Sequence, residues 1–79
     1  MSHLLWYNAF MLEQLPNDIN SISVFLHNAG WSYGYCRVKE EEKDIWLIDA
    51  ARGEIRFVVR HRTLKRGFML IRNLVLEMN

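Results

Sequence analysis

Hydrophobic residues along the chain follow two periods. Over residues 17–29 the period is helical: Ile19, Ile22, Phe25, Leu26 and Ala29 fall on one face, with Asn20, Ser21, Ser23, His27 and Asn28 on the other. Pro16 precedes Asn17, a good N-cap, and Asp18 sits where the helix dipole favours an acid. Gly30 supplies the left-handed stop. From Trp31 the period shortens to two. Residues 31–39 alternate, residues 40–43 form a charged turn, and Asp44–Ala50 suits a short buried strand. Arg52-Gly53 is a turn signal. Over residues 54–62, Ile55, Phe57 and Val59 share one face and Glu54, Arg56, Arg60 and Arg62 the other, with Val58 the exception. Connections this short predict an antiparallel meander.

The helical period returns at the end. Thr63 can cap, and Leu64, Phe68, Ile71, Val75 and Met78 follow at helical spacing with Leu74 beside them. Gly67 interrupts this helix at a cost of about 1 kcal/mol relative to alanine. Residues 4–13 are apolar without a clean period, and Trp6, Tyr7 and Phe10 favour a strand there. The predicted order is β-α-β-β-β-α. This is a single small α+β domain over residues 1–79, with an antiparallel sheet of three or four strands and two helices on one face.

Composition bounds the picture. The chain has 79 residues, 51% of them hydrophobic, with one proline, which excludes a disordered tail or linker. One cysteine, Cys36, excludes an internal disulfide framework, reads as a small buried group, and places the protein in the cytoplasm. The N-terminus lacks a basic region and a cleavage site, and its apolar run is too short for a bilayer, so no membrane partner is expected.

The net charge of +1 hides an asymmetry. Residues 1–51 hold seven acids against three bases, a net of −4, whereas residues 52–79 hold seven bases against two acids, a net of +5. A basic half this short points to an anionic partner, unless the two halves neutralise each other within the fold. Two rows could carry such a partner. Arg56, Arg60 and Arg62 share one strand face, and Lys65 and Arg66 follow at the strand-to-helix junction; guanidinium groups match phosphate geometry. A charge row also blunts a strand edge. Trp31, Tyr33 and Tyr35 form the second row, continuing into Arg37 and Lys39. If both rows face away from the helices, aromatics and arginines make one surface on which bases stack and phosphates bind. Otherwise the aromatics are core. A further alternative is an aromatic face buried in a second copy or another protein.

Signals for chemistry are sparse. His3, His27, His61 and Cys36 lack metal-ligand spacing, and no phosphate loop, nucleophile elbow or dinucleotide fingerprint occurs, so no metal, cofactor or small-molecule site is expected. His61 falls on the inward strand face, as a structural histidine would.

The run Phe25-Leu26-His27-Asn28-Ala29-Gly30-Trp31 resembles the end of the first helix in HicA-type toxins. The run from Val58 through Thr63-Leu64-Lys65-Arg66-Gly67 to Leu74 resembles their last strand and second helix. The resemblance spans about residues 17–77. It implies a double-stranded-RNA-binding-like fold in a family that cleaves mRNA without a metal. That family carries its catalytic histidine in a Gly-Ser-His stretch on a middle strand, whereas Gly34–Ala50 contains no histidine, so no catalytic residue carries over. The expected function is binding rather than catalysis. Its leading form is nucleic-acid binding, as RNA or a single strand, through Arg56, Arg60, Arg62, Lys65 and Arg66 with Trp31, Tyr33 and Tyr35 stacking. The alternative is a protein-interaction module, either a homodimer or a small inhibitor of a larger protein. An unconventional nuclease using His61 comes third.

Overall fold

The computed structural model describes residues 15–78. Their elements are α1 (Ile19–Asn28), β1 (Ser32–Glu40), β2 (Lys43–Arg52), β3 (Ile55–His61) and α2 (Leu64–Glu77). The strands form an antiparallel sheet in the order β1-β2-β3. This is the small α+β fold that the periodicity predicts. The strand expected over residues 4–13 lies outside the described residues.

Asp18, rather than Asn17, caps α1. Its extended backbone lets Oδ1 accept the Ser21 N–H at 2.8 Å and Oδ2 accept the Ser21 hydroxyl at 3.1 Å. These bonds, the backbone one foremost, hold the carboxyl below its ordinary value of 3.8, with a weaker attraction from Lys65. At the other end Gly30 takes φ +84. Its N–H reaches His27 O at 3.1 Å, and the Trp31 N–H reaches Leu26 O at 2.9 Å. This double closure is the glycine-terminated helix stop, and it delivers Trp31 directly into the core.

The β1–β2 turn places Glu41 and Glu42 at φ 50 and 67. Both residues take the left-handed conformation that such hairpins usually assign to Asn-Gly. The strand registers then form rungs across the sheet. Tyr33–Ala50–Phe57, Tyr35–Ile48–Val59 and Arg37–Trp46–His61 share one face. Ser32–Ala51–Arg56, Gly34–Asp49–Val58 and Cys36–Leu47–Arg60 share the other.

Both helices cover the first face. Ile22 and Leu26 of α1 and Phe68, Ile71 and Val75 of α2 join Trp31, Ile48 and Ala50 in one buried cluster. Burying side chains of this size stabilises the fold by about 1.5–3 kcal/mol each. Leu64 is half-buried, and Met78, at the end of the expected stripe, is exposed. Cys36, expected as a small buried group, is also exposed, because its rung faces away from the helices. Arg72 is buried on α2. Its Nη1 donates to Pro16 O at 2.8 Å, and Nε and Nη2 donate to Asn73 Oδ1, so the guanidinium ties the chain entering α1 to the middle of α2.

Gly67 explains the interruption in the helical pattern. A Cβ there would overlap Ile48 Cδ1 and lie 3.3 Å from Ile48 Cγ1. Ile48 is fully buried, so its Cδ1 must be moved within a close-packed core to make room. Gly67→Ala gains about 1 kcal/mol of helix propensity and loses about 1–3 kcal/mol to overpacking, so a net loss of stability is expected in urea unfolding. Adding Ile48→Val removes the obstructing Cδ1 and recovers part of that loss, so the two substitutions are non-additive.

Asp18 supplies a pH test. Its folded value is depressed, so its contribution is complete above 3.8 and is lost as pH falls through the lower folded value. Asp18→Asn keeps a capping oxygen without the charge. Urea midpoints measured from about pH 6 down to about pH 2 fall less steeply in Asp18→Asn than in the wild type.

Candidate nucleic-acid interface

The expected surface divides between the two sides of the sheet. Trp31, Tyr33 and Tyr35 point toward the helices, whereas Arg56 and Arg60 occupy the opposite face. Trp31 is 3% exposed and stacks on Phe57, with ring centroids 5.6 Å apart. Tyr33 and Tyr35 set their edges against Phe68 at 5.8 and 5.7 Å. This corrects the shared aromatic and basic platform. The cause is the α1 stop, which commits Trp31 to the core; a period of two then carries Tyr33 and Tyr35 to the same side. The two tyrosines keep part of their surface exposed, β1 being an outer strand of the sheet among the described residues. They have no arginine of β3 beside them.

The cations fall into groups by what they touch. The Arg52 guanidinium lies 4.8 Å from the Trp31 ring centre, and its Nη1 donates to Ala29 O at 3.1 Å. Arg37 lies 5.8 Å from the Trp46 ring centre. Each of these contacts is worth about 0.5–1 kcal/mol at the surface. On the open face Arg56 Nε is 3.9 Å from Asp49 Oδ2, and Arg60 pairs with Glu40 across the sheet. Exposed pairs of this kind contribute about 0–1 kcal/mol, so they leave the arginines available to a stronger anion.

Arg62, Lys65 and Arg66 differ, because none has an ion pair within 4.0 Å among the described residues. Arg62 lies between β3 and α2, and Lys65 and Arg66 are in the first turn of α2, which contains no acid. Thr63 caps this turn, its Oγ1 accepting the Arg66 N–H at 3.4 Å. Unpaired N–H groups and the helix dipole already make this end positive. Each added cation costs about 0.3–1 kcal/mol at low ionic strength, and an arriving anion reverses the sign.

His61 completes the junction. Its Nδ1 accepts the Thr63 N–H at 3.1 Å. The ring shares one shallow depression with Ile45, Arg60 and Arg62. It shares another with Arg66, Met69, Leu70 and Asn73. Lys65 and Arg66 line a third with Asn17 and Met69. The basic residues thus meet around the end of β3 and the start of α2. The sequence shows their succession, but the position of His61 among them depends on how α2 folds back.

The open face has a second character. Cys36, Leu47 and Val58 line a shallow apolar hollow beside Asp49, and Val58 is 61% exposed. Val58 breaks the alternation of its strand, and that irregularity was its only signal in the sequence. Among the described residues, no three His, Cys, Asp or Glu side chains are grouped to hold a metal ion, and no helix is long and apolar enough to cross a membrane. Compared with known proteins, the chain matches no family model, no curated protein and no solved structure.

Proposed function

We propose that this chain is a small nucleic-acid-binding domain that grips the phosphate backbone at the β3–α2 junction. Arg62, Lys65 and Arg66 make the principal contacts, and Arg56 and Arg60 form a weaker row on the adjoining sheet face. The observation that carries this reading is the clustering of Lys65 and Arg66 in a helical turn where the dipole opposes them and which holds no acid of its own, Asp18 exerting only a weak attraction on Lys65. Charges placed at a cost to the fold fit an anionic ligand. Base stacking on the open face has no part in it, because Trp31 is buried and that face carries no aromatic residue among its rungs. Recognition then rests on the backbone, is tolerant of sequence, and favours a duplex over a single strand through its denser charge. The resemblance to HicA-type toxins agrees with the α-β-β-β-α order and adds no catalytic residue. An exposed free thiol at Cys36 fits a reducing compartment such as the cytoplasm.

A second reading has its own observation. The apolar hollow around Val58 would seat a second copy of the chain, with the acidic β1–β2 turn of one copy meeting the arginines of β3 in the other. The two readings separate in solution. Size exclusion at micromolar concentration shows a monomer if nucleic-acid binding is the main role. It shows a dimer that Val58→Asp dissociates if the hollow is an interface.

The direct test is fluorescence anisotropy of one labelled RNA, single-stranded and as a duplex, at several salt concentrations. Binding is expected to weaken with salt, the logarithmic slope corresponding to about three phosphate contacts. Arg66→Glu weakens binding about tenfold or more while the melting temperature holds or rises slightly, since an acid suits this helix end. Arg60→Glu has a smaller effect, because Arg60 already faces Glu40. Wild-type affinity in Arg66→Glu would remove the junction as the binding site.

A further inference from the structure

The position of His61 assigns it a role within this surface, and the inference rests on the nucleic-acid reading above. Three observations meet at its ring. Nδ1 accepts the Thr63 N–H at 3.1 Å, so in the neutral imidazole the proton resides on Nε2. Nε2 has no hydrogen-bond partner among the described residues, yet it is not sealed from solvent, since Trp31 Nε1 is the buried side-chain polar atom left unpartnered there. The half-buried ring also lines two of the three depressions that hold the basic residues, with Arg60 and Arg62 in one and Arg66 in the other.

We propose that His61 is the neutral hydrogen-bond donor of the interface, presenting Nε2–H to a phosphate oxygen held between Arg62 and Arg66. The arginines supply charge from flexible stems, whereas the imidazole supplies direction from a ring locked by the backbone. The same lock removes His61 as a general base. Nε2 already carries the proton of the neutral ring, and Nδ1 is engaged by the Thr63 amide. A base would have to break that bond to take up a proton, and a general acid would need the same disruption to carry a second one. His61 in this arrangement therefore binds a phosphodiester without transferring a proton to it.

His61→Asn is the informative substitution. A short amide can still accept the N–H two residues ahead, as in an Asx turn, while the outward Nε2–H is gone. The expected result is an unchanged melting temperature and RNA-duplex binding about five- to tenfold weaker. The salt slope stays at the wild-type value, because no charge has been removed, whereas Arg66→Ala lowers it by about one. The wild-type protein labelled with ¹⁵N-histidine gives a second readout that needs no variant. Its neutral ring shows a protonated-type Nε2 and an unprotonated-type Nδ1, and adding the duplex moves the Nε2 resonance in preference to Nδ1. A proton on Nδ1, or duplex affinity in His61→Asn equal to the wild type, overturns the assignment while leaving the basic junction standing. A wild-type protein that binds no duplex overturns both. RNA cleavage by the wild type that is lost in His61→Asn overturns the donor role in favour of catalysis.

Discussion

The closeness of α2 to the sheet depends on a side chain that is missing. Gly67 presents bare backbone to Ile48, and that contact lets the helix settle onto the central strand. The position a Cβ would occupy at Gly67 lies only 3.7 Å from the Cβ of His61. One contact therefore sets two things. It closes the core over Ile48, and it brings Arg66, the residue before Gly67, beside the end of β3. A helix held further out would loosen Phe68 and Ile71 and would also separate the basic side chains from His61. Packing and candidate function share this constraint, so the helix tolerates a residue of low helical propensity at that point.

The sheet divides its work between its faces. The helix-covered side takes the large rings, and its margins are closed by Arg52 over Trp31 and Arg37 over Trp46. These arginines combine a planar cation with an apolar stem, which suits the boundary between core and water. The open side carries ion pairs around an apolar hollow. Among the described residues β1 and β3 are the outer strands of the sheet, and like charges along β3 discourage edge-to-edge pairing of two copies. Arg56 and Arg60 thus keep a structural use even where no ligand is bound. Arg62 and Arg66 have no comparable structural use among the described residues and Lys65 has only a weak attraction to Asp18, and this contrast distinguishes the junction from the rest of the basic half.

At the junction the physical effects act in the same direction. The start of a helix is positive, its first turn adds two cations, and the preceding loop adds a third. Exposed cations bind weakly one at a time, but together they displace condensed counterions from a nucleic-acid backbone, which accounts for most affinity that is independent of sequence. The imidazole of His61 adds a directional donor fixed by the cap of the same helix. Thr63 links the parts, since its N–H orients the ring and its hydroxyl receives the Arg66 N–H.

Much of the fold was legible from residue order alone. The α1 face from Ile19 to Ala29, the glycine stop, the three alternating strands and the Thr63 cap are local features set by side-chain period and backbone preference. The basic run from Arg56 to Arg66 was visible in the same way. Other features required the third dimension. Alternation shows that Trp31, Tyr33 and Tyr35 share a face, but not which face; that followed from the α1 stop turning Trp31 into the core. Nor does it show that Cys36 and Val58 flank the same hollow, because register is a relation between strands. Gly67 read as a flaw until Ile48 lay against it, and His61, on the inward face as its strand period implied, gained Arg66 and Met69 as neighbours only when α2 folded back beside it. The sequence by itself determined the elements and their polarity, since these depend on neighbours along the chain. Tertiary structure decided which faces meet, because burial and register arise only when residues far apart in sequence compete for the same space.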